Sequence, residues 1–279
     1  MSSLISLATG SGTISKETSD KATGLCTRIA EEGIVLLKNE ENLLPLKSDS
    51  NLNVFGWAST NPCYGGTGSG SLSDAYETVS LLQGLEHAGF KLNSGISDFY
   101  AAYRSDRPNV GMWEQDWTLP EPVKGSYTSE LMEEAKAFSD MAMIVITRVG
   151  GEGADLPTDV SAVTYTDNST EYKDFEPGEH YLQLSKTEKD LVDLVCSNFD
   201  NVVLVYNGAN AMELGFVNEY SQIKSAIWCP GTGQSGFEAL GEIVSGTVNP
   251  SGKTSDTFVA DLTATPHYNN FGSFVYDNM

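Results

Sequence analysis

"DMAMIVITRVGGEGAD", residues 140–155, carries the pattern from which the architecture follows. Met141 to Ile146 form an unbroken apolar run with no polar face. A run this short, apolar on both sides, fits a strand of a parallel sheet covered on both faces. It ends in a loop where Gly150, Gly151 and Gly153 surround one carboxylate, Glu152. Two readings of that loop stand open. It is a tight turn with Glu152 pointing at water, or the glycines free the backbone to present Glu152 to something.

The same grammar repeats along the chain. "GIVLLKN" (33–39), "LNVFGW" (52–57), "NVVLVYN" (201–207) and "SAIWC" (225–229) read as further buried strands. Between them lie helical patterns: residues 16–32 with Gly33 as a stop, 77–89, 128–139, a helix opened by the Ser185/Glu188 capping box and running to about 198, and about 233–245. Strands alternating with helices predict an α/β fold, a three-layer sandwich around a mostly parallel, doubly wound sheet. In such sheets ligands bind beyond the carboxyl ends of the strands. Gly-rich stretches sit there: "NPCYGGTGSGS", "VGGEGAD", "NGANAMEL" and "CPGTGQSG". The segments 95–127 and 157–182, carrying Trp113, Trp117, Tyr165 and Tyr172, are long for loops.

Length and composition set the outer limits. The chain has 279 residues, 40% hydrophobic and 19% charged, enough for a substantial core. The sequence reads as one domain over 1–279, with 1–15 as a disordered arm and 259–279 as the start of a linker or following domain. No run reaches the ~20 apolar residues of a membrane helix. No basic, then apolar, leader opens the chain, so a cytoplasmic location is expected. With 38 acidic against 16 basic residues the net charge is −22, which repels nucleic acid and anionic membranes. Cys26, Cys63, Cys196 and Cys229 are widely spaced, and free thiols are expected, with Cys26 and Cys196 in the core. His87, His180 and His267 form no ligand-spaced pair, so no metal is expected.

"GGTGSG" (65–70) invites a dinucleotide reading and does not sustain it. Gly65 lies eight positions beyond Trp57, the spacing is G-x-G-x-G, and no helix starts directly after it. Its glycines instead suit either a flexible loop or a loop whose backbone closely approaches a substrate or a neighbouring domain. Glu152 and Asp155 in "GGEGAD" are the acid candidates, since a carboxyl held protonated by burial or a like charge can act as a general acid. No second carboxylate is identifiable opposite Glu152. There is no G-x-S-x-G elbow.

Taken in order, "AEEGIVLLKNEENLLPL" (30–46), "GGTGSGSLSDAYETVSLLQGLEHAGF" (65–90), "VITRVGGEGAD" (145–155) and "VNPSGKTSDTF" (248–258) resemble the second, α/β-sandwich domain of glycoside hydrolase family 3, the β-glucosidases and β-xylosidases. The resemblance implies a retaining, exo-acting β-glycosidase acting on terminal β-linked glucose or related sugars and needing no cofactor. An Asp on a separate (β/α)8 barrel attacks the anomeric carbon, and a Glu from the sandwich protonates the leaving oxygen, the two carboxyls being about 5–5.5 Å apart. Glu152 falls at the family's acid/base position. Gly65, Gly66, Gly68, Gly70 and Asp155 would line the substrate side. Where relatives often follow the Asp with a basic residue, Leu156 follows here. No eightfold βα pattern and no nucleophile motif occur, and Asp140 lies in a different context. The barrel is therefore expected after residue 279, as in members with inverted domain order, or as a separate partner chain. This chain alone would be inactive. The alternative is a non-catalytic carbohydrate-binding or domain-interaction module on the same sandwich. A stand-alone nucleotide binder is disfavoured by the missing phosphate loop.

Overall fold

Apolar residues at alternating positions of a strand go to opposite faces of a sheet, and both faces here are covered. In the computed structural model, which describes residues 14–72, 76–103, 117, 119–153, 155–163, 174–266 and 268, six strands form one sheet. They are β1 (Val35–Asn39), β2 (Asn51–Phe55), β3 (Lys91–Leu92), β4 (Met141–Arg148), β5 (Asn201–Gly208) and β6 (Ile223–Cys229). Their order across the sheet is β1-β6-β5-β4-β2-β3. All neighbouring pairs are parallel except β1 with β6.

The helices are α1 (Lys16–Gly33), α2 (Leu81–His87), α3 (Ser94–Tyr103), α4 (Ser129–Phe138), α5 (Lys186–Cys196) and α6 (Phe237–Ser245). Ile144 of β4 and Leu204 of β5 pack with Ile96, Met132 and Leu191 of α3, α4 and α5. Met143, Val145, Val203 and Val205 face the other way, onto Leu81 and Leu85 of α2 and Phe237 and Leu240 of α6. This is the expected three-layer α/β sandwich. Helices α2 and α6 meet backbone to backbone. A Cβ on Gly241 would lie 2.0 Å from the Gly84 carbonyl oxygen, so only glycine permits that approach.

Several expectations need correction. β1 is not buried on both faces. It is an antiparallel edge strand, and only Val35 is buried. Helix α1 buries no residue at all, so Cys26 is exposed, not core. It lies outside α6 as an extra layer, and Leu25 and Ile29 face outward, 59% and 62% exposed. Helix α2 starts at Leu81 because Ser80 and Gln83 form a reciprocal capping box there, with no helix over 77–80. The last helix starts at Phe237, after a turn containing Gly233 at φ +63°. The 95–127 segment is partly helical: α3 runs Ser94–Tyr103, and Trp117 stacks edge-on against Tyr181 at 4.9 Å. Trp113, Tyr165, Tyr172, His267, residues 1–13 and 269–279 lie outside the described residues.

Candidate active site

β2 and β4 are adjacent and parallel, so the loops that follow them leave the same edge of the sheet side by side. β2 is followed by Gly56, whose φ is +98° and whose Cβ, if it had one, would sit 2.2 Å from the Val145 carbonyl oxygen. The chain can turn off the sheet there only as glycine. Two buried groups hold that exit. Trp57 N–H donates to Glu121 Oε2 at 2.7 Å, and Gly56 N–H donates to the Tyr100 hydroxyl at 2.7 Å. The Tyr127 hydroxyl lies against both Glu121 Oε1 and the Tyr100 hydroxyl. Burial pushes the Glu121 carboxyl up to about 8.

Beyond that turn, Asn207 at the end of β5 fixes the path. Its Oδ1 accepts from Cys63 N–H at 2.6 Å, and its Nδ2 donates to the carbonyls of Cys63 and Cys229 at 3.1 and 3.0 Å. The Tyr64 carbonyl accepts from Gly233 N–H at 2.7 Å. The loops after β2, β5 and β6 are thus tied into one surface before the glycine-rich stretch begins.

β4 ends on a fully buried cation. Arg148 forms two 2.7 Å bonds to the Glu188 carboxylate and donates to the backbone carbonyls of Thr147, Tyr181 and Gln183. Glu188 also accepts from Ser185 N–H at 2.9 Å, closing the capping box of α5. A bidentate pair of this kind is directional, so the exit of β4 is fixed as firmly as that of β2.

Between these two anchors the loops interlock. The Thr67 hydroxyl donates to the Glu152 carbonyl oxygen at 2.9 Å. Ser69 N–H and the Ser69 hydroxyl both donate to Glu152 Oε2, at 3.0 and 2.7 Å. A Cβ on Gly68, at φ +62°, would lie 2.8 Å from both the Cβ and Oε2 of Glu152. A Cβ on Gly151 would lie 2.6 Å from the Thr67 hydroxyl. Gly66 approaches the Gly150 carbonyl, which a Cβ would meet at 3.4 Å. The two motifs singled out in the sequence, far apart in the chain, are therefore one structure.

The members of the set differ in placement. Gly68 is buried under Glu152, Gly65 is half-buried against the Gly70 carbonyl, and Gly66 and Gly70 are exposed. Glu152 and Asp155 are exposed. The Ser69 hydroxyl, then its N–H, hold the Glu152 carboxyl below the usual range. That differs from the raised value a resting general acid would show, and the cause is direct: both donors favour the charged form. Sequence reading missed Ser69, Asn207, Glu121 and the Arg148–Glu188 pair. An arginine ending an otherwise apolar strand was a legible signal for the last; Ser69 carried none. Among the described residues no cluster of three or more His, Cys, Asp or Glu is placed to hold a metal ion.

Comparison with known proteins places this arrangement among relatives. The family model described as "Glycosyl hydrolase family 3 C-terminal domain" matches residues 34–278. The chain is 32% identical over 265 residues to beta-glucosidase A of Butyrivibrio fibrisolvens, covering 91% of this chain and 30% of that protein. It is 29% identical over 244 residues to a beta-glucosidase of Ruminococcus albus, covering 86% and 23%. Among solved structures, a beta-glucosidase from Paenibacillus barengoltzii superposes with a TM-score of 0.75 at 26% identity, over 90% of this chain and 25% of that one. Beta-glucosidase 3B from Thermotoga neapolitana, solved with α-D-glucose, shares the fold with a TM-score of 0.72 at 24% identity, over 91% and 33%. The chain spans a quarter to a third of the length of these proteins.

Proposed function

We propose, from the premise that this chain belongs to the glycosyl hydrolase family 3 C-terminal domain family, that it supplies the general acid/base of a retaining β-glycosidase. Its matched relatives are beta-glucosidases, and terminal β-linked glucose or a related sugar is the substrate class. Glu152 is the acid/base. The nucleophilic carboxylate belongs to a (β/α)8 barrel, in cis or as a partner chain. Exposed Gly66, Gly70 and Asp155 belong to the face turned to sugar and barrel, with Gly65 half-buried behind it and Gly68 buried under Glu152. The reaction calls for no cofactor. A cytoplasmic location belongs to the same reading.

The observation that carries it is the interlock. A solvated loop glutamate has no need of a second loop beneath it. Here Glu152 is set at the carboxyl edge of the sheet by contacts from three residues of the other glycine-rich loop. In the first half-reaction the carboxylic acid protonates the glycosidic oxygen as the nucleophile attacks the anomeric carbon. In the second the carboxylate takes a proton from the water that cleaves the glycosyl-enzyme. The acid step needs a higher proton affinity than the open, doubly hydrogen-bonded carboxylate has. Covering Glu152 with sugar and barrel supplies it by desolvation and by the nearby nucleophile.

The test is hydrolysis of p-nitrophenyl β-glucoside and β-xyloside by the 279-residue chain alone and with the barrel supplied. Activity only with the barrel is expected. Activity of the chain alone would mean that a nucleophile lies within it, and the division of labour fails. Saturable glucoside binding by the chain that ignores Glu152→Ala and never leads to hydrolysis would favour a non-catalytic module.

A further inference from the structure

Two hydrogen bonds converge on one oxygen of Glu152, and neither comes from its own loop. We infer that the loop 65–71 is a catch for the acid: Ser69 is a positioning residue that holds the Glu152 side chain docked on bare backbone until sugar and barrel draw it off. The inference rests on the reading of Glu152 as acid/base and adds the device that governs it.

The geometry separates the backbone of Glu152 from its carboxylate. The Thr67 hydroxyl, buried with its residue, fixes the Glu152 carbonyl at 2.9 Å. That contact does not involve the carboxylate. The carboxylate has a distinct seat. Oε2 receives Ser69 N–H at 3.0 Å and the Ser69 hydroxyl at 2.7 Å, and it lies over Gly68, where any Cβ would come within 2.8 Å. The seat exists because residue 68 has no side chain and holds φ +62°, which points the following amide at the carboxylate. Ser69 and Glu152 are both exposed, so leaving the seat disturbs no core.

The Ser69 N–H can only donate and its hydroxyl donates as seated, so the seat favours the ionised carboxylate over the protonated form. Glu152 is ready as a base while docked and becomes an acid only after undocking and taking a proton from solvent. Among the described residues the donors to the Glu152 carboxylate are those of Ser69. The loops 65–71 and 230–236 that pack together here carry no ionisable side chain. On its own loop the charged neighbours are Asp155, exposed, and Arg148, buried and paired to Glu188.

The test is a 13C NMR titration of the Glu152 carboxyl in the 279-residue chain, its resonance assigned by loss in Glu152→Gln. In the unmodified chain and in Ser69→Thr, which keeps hydroxyl and amide, it is expected to titrate below the ordinary glutamate range. In Ser69→Ala it is expected to shift up. Superimposable curves for the unmodified chain and Ser69→Ala overturn the inference. So does an equal upward shift in Thr67→Ala, since general loop integrity would then set the value. No substrate enters this measurement, so its failure leaves the assignment of Glu152 as acid/base to be judged separately by leaving-group kinetics.

Discussion

Glu121 and Glu152 show how far placement alone separates two identical side chains. Glu152, in the open with two donors, is held in its ionised form. Glu121, fully buried at the exit of β2, is pushed up to about 8, against the pull of Trp57 N–H and the Tyr127 hydroxyl. The buried Asp174, whose carboxyl accepts from Thr187 N–H and hydroxyl, is likewise pushed up to about 6. The sign for stability follows. Between the ordinary glutamate value and about 8 the folded state keeps the Glu121 proton and the unfolded state does not, so stability falls as pH rises through that window. Glu121→Gln keeps the shape and removes the titration. Urea unfolding midpoints at pH 5.5 and 8.5 should therefore differ less in Glu121→Gln than in the unmodified chain. An unchanged difference would mean that Glu121 is ionised at both pH values.

At the scale of elements, the site is positioned by the ends of β2 and β4 and by the cap of α5. Glu188 serves both as the capping-box residue of α5 and as the partner of Arg148. Arg148→Met leaves Glu188 buried without its counter-charge and should cost about 3–5 kcal/mol. The double variant Arg148→Met/Glu188→Leu should lose clearly less than the two single losses added, which a double-mutant cycle by chemical denaturation reads directly. Strict additivity would mean that the two groups do not act as a pair. The capping box itself was legible, because Ser185 and Glu188 sit at the required spacing. Its second use was not, because the partner lies 40 residues away in the chain. The same limit hid Ser69: nothing local distinguishes it from the other serines of its loop, and only the adjacency of β2 and β4 makes it the partner of Glu152. The misread elements had a physical cause too. β1 is apolar enough to look internal and Cys26 sits in an amphipathic pattern, but the places of β1 at the sheet edge and α1 against α6 were set by topology that local periodicity does not encode.

For the molecule as a whole, the alternation of apolar runs and helical patterns carried the fold, since a parallel sheet covered on both faces has few other ways to arise from such a sequence. What it left open is the identity of the opposing surface. A net charge of −22 opposes close approach of a second copy. The same excess of acidic groups repels itself within the folded chain, so raising NaCl from about 20 to 500 mM should raise Tm by screening that internal repulsion. A Tm unmoved or lowered by salt would show that the acidic residues are already locally balanced.

The most direct measurement of the central claim is the leaving-group dependence of Glu152→Ala in the complete enzyme carrying this domain. With Glu152 as acid, turnover should collapse on glucosides with poor, alkyl-type leaving groups. It should fall far less on activated aryl glucosides, where no proton is needed for departure, and added azide should restore turnover on the latter by replacing the water that Glu152 activates. Equal loss on both substrate classes, with no recovery in azide, would contradict the assignment of Glu152 as the acid/base.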